Sequence, residues 1–221
     1  PPGVIPGGAV YVEGRDVLAA RQQDLIALRG ARIAYVFQDP LTTLHPLFAV
    51  GEQVAEAILA HRPVGRAAAM AQAVELMDRV GIRDAAARAR AYPHELSGGQ
   101  RQRIGIAMAL ANDPDIIVAD EPTTALDVTV QARILDLLMQ LRRERGLALL
   151  LITHDFGVVA QVCDRVAVMR NGEIVEQGET AAVLRDPQHF YTRRLIACVP
   201  ELGEGRAFLD RVRPLFTEAQ A

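Results

Sequence analysis

Three apolar runs of strand length each end in side chains able to handle protons, water or a metal ion. Phe37 is followed by Gln38, Ala119 by the acidic pair Asp120-Glu121, and Ile152 by Thr153-His154. An acidic pair can hold a hard divalent cation with one carboxylate and orient a water molecule with the other. A fourth group stands apart in sequence. Leu96-Ser97-Gly98-Gly99-Gln100 opens a helical stretch; Ser97 is placed to cap it, and the two glycines leave backbone N–H groups approachable at the positive end of a helix dipole. That combination binds phosphate. Taken singly, each feature has a plainer reading: a loop acid, a structural histidine, an ordinary capped helix after a Gly turn. Taken jointly, they point to one site.

For these side chains to meet, their strands must lie side by side. Ligands of parallel α/β sheets sit beyond the carboxyl ends of the strands. The pattern predicts short strands over 9–13 and 32–37 with a helix over 21–29 between them, then an almost wholly helical stretch with segments at 50–61, 66–80 and 98–111. Asn112-Asp113-Pro114 stops it. Ile116–Ala119 reads as a strand buried on both faces. Asp127 is placed to cap a helix whose apolar stripe runs Val130, Ile134, Leu138 and Leu141. Strand 147–152, helix 155–163 and two strands flanking the hairpin dipeptide Asn171-Gly172 complete the order. The expectation is an α/β fold: a mostly parallel sheet finished by an antiparallel edge, with the helical middle inserted as a second lobe.

Composition narrows the function classes. The 221 residues are 50% hydrophobic and 23% charged, with a net charge of −3, which argues against a protein that coats nucleic acid. No apolar run approaches the ~20 residues of a membrane span, and no basic-then-apolar leader opens the chain. Cys163 and Cys198 are far apart and read as reduced thiols of a cytosolic protein. All 24 basic residues are Arg, there is no Lys, and the chain opens Pro1-Pro2 rather than with Met.

Leu96–Gln100 resembles the signature motif of ABC-type ATPases, and Ile116–Glu121 their Walker B strand. The run Arg101–Leu110 is similar to the family's, and Glu121–Asp127 resembles the link from Walker B to the D-loop. Gln38 falls at the Q-loop position and His154 at that of the switch histidine. These motifs stand in family order over residues 32–178. Within the family, Phe37–Pro46, Val50–Gln53, Ala91–Glu95 and His189–Thr192 resemble the ATPase subunits of dipeptide, oligopeptide and nickel importers. His45 and Phe190 depart from the usual Asn and Pro there.

The resemblance implies a P-loop NTPase-like core with ATP and Mg²⁺ as ligands. It gives Asp120 and Gln38 to the metal, Glu121 and Gln38 to the attacking water, and His154 to the γ-phosphate, with Glu121, His154 and Gln38 as the catalytic set. Ser97, Gly98, Gly99 and Gln100 would bind the nucleotide of the opposite protomer in a head-to-tail dimer, with Asp127 crossing the same interface. It divides the chain into core 1–39, helical subdomain 40–112, core 113–178 and a C-terminal extension 179–221. The implied partners are a second ABC ATPase subunit, integral-membrane permease subunits and, indirectly, an extracytoplasmic solute-binding protein. The implied place is the cytoplasmic face of the cell membrane. The phosphate cradle G-x-x-x-x-G-K-[ST] is not in the sequence, and family order places it before Pro1. The expectation is an N-terminally truncated chain, inactive alone and incomplete at its C-terminal end. The alternative is a degenerate module that lends only its signature face to a partner.

Overall fold

The computed structural model describes residues 5, 7–39, 43–124 and 126–199. Pro40–Thr42 of the importer-like stretch, Ala125 of the D-loop link and residues 200–221 of the C-terminal extension lie outside the described residues. The chain forms two compact units that divide between Ile152 and Thr153.

The first unit is built on three parallel strands: β3 (Ile33–Val36), β4 (Ile116–Asp120) and β5 (Ala148–Ile152), in the order β3-β4-β5. Ile33 lies opposite Ile116 and Val36 opposite Ala119, while Asp120 pairs with Ile152. Before them, β1 (Tyr11–Val12) and β2 (Arg15–Asp16) make a small antiparallel pair of their own, and α1 (Gln22–Leu28) leads into β3.

Between β3 and β4 lies the expected helical insertion. It comprises α2 (Val50–Leu59), α3 (Arg66–Arg79), the single turn α4 (Ala85–Arg88) and α5 (Gly98–Ala109), and α6 (Val128–Arg145) then joins β4 to β5. Ile104 and Ala107 of α5 and Ile134 and Leu138 of α6 share one core with Ala34, Val36, Ile117 and Ala119. That core accounts for one face of the sheet only. On the other face Tyr35, Leu150 and Ile152 are 40%, 56% and 43% exposed, and Val118 is half-buried. The expectation of a strand buried on both faces is therefore corrected: α5 and α6 both pack on the side of Ile117 and Ala119.

The insertion is also tied to the amino-terminal end of the sheet by charge. Arg62 of the insertion pairs with Asp113 at 2.5 Å and Arg79 with Glu144 at 2.8 Å, and Asp113 also takes Arg145. The Arg79–Glu144 pair is open to solvent, where such a pair contributes little to stability.

The second unit opens with α7 (Phe156–Val162) and continues with the hairpin β6 (Arg165–Arg170) and β7 (Glu173–Glu179). Asn171 and Gly172 have φ of 50° and 84°, the left-handed pair a two-residue hairpin loop requires. Among the described residues the hairpin pairs only with itself, so it is a separate two-stranded sheet rather than the expected edge of the parallel one. Helices α8 (Thr180–Arg185) and α9 (Phe190–Ala197) follow. The start of α9 is fastened to the hairpin. The Glu176 carboxylate accepts the backbone N–H groups of Gln188 and His189 at 2.7 and 3.1 Å, and the Arg170 guanidinium lies 5.2 and 5.0 Å from the rings of Phe190 and Tyr191.

Candidate functional site

Parallel pairing of β3 with β4 carries Gln38 and the acidic pair to one end of the sheet, although 83 residues separate Gln38 from Glu121. Gln38 Nε2 donates to Glu121 Oε2 at 2.9 Å, and Thr124 Oγ1 donates to the same oxygen at 2.7 Å. The turn that returns Thr124 to the carboxylate closes with its N–H on the Glu121 carbonyl at 3.1 Å. Glu121 itself has a φ of 42°, left-handed and costly for a residue with a Cβ, by ~1–3 kcal/mol. Its N–H donates to the carbonyl of Ile152 at 2.9 Å. The glutamate is thus turned out of strand geometry at the last rung of the sheet and held there from both backbone and side chain.

Asp120 is held differently. The Tyr35 hydroxyl donates to its Oδ2 at 2.6 Å. That hydrogen bond, with burial and the carboxylate charge adding to it, raises the Tyr35 phenol above its ordinary value. Asp120 and Gln38 offer one carboxylate and one amide. Among the described residues there is no group of three or more His, Cys, Asp or Glu side chains that could cage a metal. Such a donor set suits Mg²⁺, which keeps several waters and takes one or two carboxylates together with phosphate oxygens.

Ser97, Gly98, Gly99, Gln100 and Asp127 assemble at a second place in the same unit. Ser97 Oγ accepts the Gln100 N–H at 3.3 Å and Gln100 Oε1 accepts the Ser97 N–H at 2.9 Å, a reciprocal capping box. The first intrahelical bond runs from Arg101 to Ser97, so Gly98 and Gly99 carry the N–H groups that precede it. Asp127 caps α6 through the Val130 N–H at 2.9 Å. The two helix starts also touch. A Cβ on Gly99 would stand 2.6 Å from Val130 Cγ1, and one on Gly98 would stand 3.4 Å from Leu126 Cδ2. Gly99 is glycine for close packing, a reason the sequence reading did not include. Gln100 spends its side-chain oxygen on the cap.

His154 stands in the second unit and is exposed. It lies in the tight turn where Asp155 N–H donates to Thr153 Oγ1 at 3.1 Å and Asp155 Oδ1 caps α7 through the N–H groups of Gly157 and Val158. Tyr35 and Thr124 were not among the expected site residues. Thr124 sits three residues after Glu121, a spacing at which a hydroxyl can return to an acid across a turn. Tyr35 carries no such local signal.

A family model described as ABC transporter matches residues 4–124, more than half of the chain. The chain belongs to the ABC transporter family. A second family model, described as oligopeptide/dipeptide transporter, C-terminal region, matches residues 175–218. Among curated relatives, the peptidoglycan transport ATP-binding protein YejF of Agrobacterium fabrum is 50% identical over 196 residues, 89% of this chain and 36% of that protein. A putative peptide import ATP-binding protein of Brucella melitensis is 46% identical over 220 residues, 97% of this chain and 65% of that protein. The oligopeptide transport ATP-binding protein OppD of Bacillus subtilis is 46% identical, covering 91% of this chain and 56% of that protein. The chain thus spans between about a third and two thirds of the length of these relatives. Among solved structures, the dimeric ATP-binding cassette MJ0796 bound to ADP and Pi superposes with a TM-score of 0.70 at 32% identity, covering 79% of this ABC chain and 74% of that one. The ABC fold expected from the motifs is the fold observed.

Proposed function

We propose that this chain is part of the ATP-hydrolysing subunit of an ABC importer and that the importer's cargo is peptide. The observation that carries the proposal is the Glu121 carboxylate, clamped at the carboxyl end of β4 by Gln38 at 2.9 Å and Thr124 at 2.7 Å beside the metal-suited Asp120. A carboxylate so held is oriented to accept a proton from water as it attacks a phosphoryl group. Asp120 and Gln38 would hold Mg²⁺, which neutralises charge developing on the phosphate oxygens when bound. His154 would contact the γ-phosphate. Ser97 and the N–H groups of Gly98 and Gly99 would bind the nucleotide of an opposing subunit, with Gln100 fixing the cap and Asp127 at the same interface. No phosphate-cradling G-x-x-x-x-G-K-[ST] loop and no Lys occur in the 221 residues. The proposal therefore concerns these residues within an assembled importer.

The names of the relatives are what supports a peptide cargo: those proteins are called peptide import, oligopeptide transport or peptidoglycan transport ATP-binding proteins. Among the described residues no helix is long and apolar enough to cross a membrane. In the proposed importer, permease subunits would form the membrane-spanning path. This chain would lie against them on the cytoplasmic face. The groove of about 450 Å³ lined by His45, Phe48, Gln53, Glu56 and Met108 is where we place that contact. Gln53 shapes it by accepting the His45 N–H at 2.8 Å and donating to the carbonyls of His45 and Phe48.

Glu121→Gln tests the reading. In the assembled importer it is expected to lower ATP turnover ~10²–10⁴-fold, the usual worth of a positioned base, while leaving ATP binding intact. Near-full hydrolysis by the variant would remove Glu121 from its role.

A further inference from the structure

We propose that Tyr35 is a positioning residue for Asp120: its hydroxyl fixes the carboxylate that the reading above gives to the metal, and the inference rests on that reading. Tyr35 lies opposite Val118 in the register of β3 and β4, so Asp120 is its diagonal neighbour on the same face of the sheet. The two residues stand on neighbouring strands and are offset by two positions along them, too far for short side chains and within reach of long ones. The phenol bridges that gap and ends 2.6 Å from Asp120 Oδ2. Hydroxyl-to-carboxylate bonds of this length are charge-assisted and strong.

The donor is itself held. Phe37, two residues on along the same face, packs against the Tyr35 ring at 4.6 Å between centroids. Asp120 Oδ1 receives no hydrogen bond from the described residues, so engaging Oδ2 singles out Oδ1 for a cation or a water in its shell. The bond is not needed to satisfy a buried hydroxyl, because Tyr35 is 40% exposed and water could serve it. Its consequence falls on the aspartate, whose χ1 would otherwise sample more than one staggered well.

Tyr35→Phe removes the donor and keeps the ring. In the isotopically labelled chain, three-bond couplings from the Asp120 backbone to Cγ report its χ1. The parent is expected to show one rotamer and Tyr35→Phe averaged couplings, with thermal midpoints within about 2 °C of one another. In the assembled importer, ATP hydrolysis titrated with Mg²⁺ is expected to show the half-saturating Mg²⁺ concentration raised about threefold to tenfold by Tyr35→Phe. The rate at saturating Mg²⁺ should stay within about twofold of the parent. Asp120→Asn, run alongside, is expected to raise the Mg²⁺ requirement further. A single parent-like rotamer in Tyr35→Phe overturns the positioning role. So does an unchanged Mg²⁺ requirement in Tyr35→Phe when Asp120→Asn raises it. If Asp120→Asn leaves the requirement unchanged, the metal-holding reading fails and this inference falls with it.

Discussion

Glu121 is the residue on which local geometry and chemistry coincide. A left-handed φ at a non-glycine residue costs free energy, and here the surroundings over-determine it: the backbone N–H is tied to Ile152 and the side chain to Gln38 and Thr124. Strain retained under such constraint marks positions where orientation matters more than stability. Gly99 makes the opposite argument, being conformationally ordinary and sterically critical. Gly99→Ala is expected to cost about 1–3 kcal/mol of stability, because its Cβ would overlap Val130 Cγ1. Val130→Ala in the same chain should recover most of that loss. Chemical denaturation of the four members of this cycle measures the coupling, and additive effects would refute the contact.

At the scale of elements, much of the arrangement could be read from residue types alone. Polar residues directly after apolar runs revealed Gln38, Asp120 and Glu121, since a run that stops being apolar at a strand end must be leaving the core. Ser97 and Asp127 were legible because capping is local chemistry, and Asn171-Gly172 because few residues tolerate two left-handed positions in succession. Tyr35 was not legible. Its partner is fixed by the register between β3 and β4, and no local pattern encodes which residue of a distant strand lies opposite. The open face of the sheet is illegible for a related reason: continuous apolar runs suggest cover on both sides, while among the described residues α5 and α6 supply it on one.

The clamp between α9 and the hairpin carries a pH dependence. Burial alone would raise the Glu176 carboxyl, but the N–H groups of Gln188 and His189 that it accepts, together with the His189 charge, hold the group below its ordinary value. A carboxyl depressed in the folded state favours folding at every pH above its unfolded value, ~4.3, and loses that contribution as pH falls through the folded value. Amide exchange at Gln188 and His189 is therefore expected to speed up, relative to intrinsic rates, as pH is lowered below about 4.3. In Glu176→Gln the protection should already be reduced at neutral pH and nearly constant across that range. Identical pH profiles for the two chains would show that the carboxylate does not hold the helix start.

For the molecule as a whole, one side of the sheet in the first unit is left open by the described residues. Tyr35, Leu150 and Ile152 stand on it, and Phe37, just past β3, is 52% exposed. Exposed apolar side chains of this kind, here flanking Asp120, bind hydrophobic dyes and promote association. The purified chain is expected to enhance the fluorescence of an anilinonaphthalene sulfonate dye and to sediment as larger species with rising concentration. The double variant Leu150→Lys, Ile152→Lys should diminish both with its far-UV circular dichroism unchanged. Equal dye binding by the two chains would mean that the face is covered.

The parallel pairing of β3 with β4 also has a consequence in time. Gln38 and Glu121 stand 83 residues apart, with the whole helical insertion between them. Synthesis at ~5–20 residues per second leaves β3 without its partner for on the order of 4–17 s after it is made. Through that interval Ala34 and Val36 lack β4, the strand they pair with among the described residues, while α2, α3 and α5 can already find one another through contacts that are short in sequence. The end of the sheet that carries Gln38 and Glu121 is therefore expected to assemble late in biogenesis, around a lobe that has had seconds in which to form first.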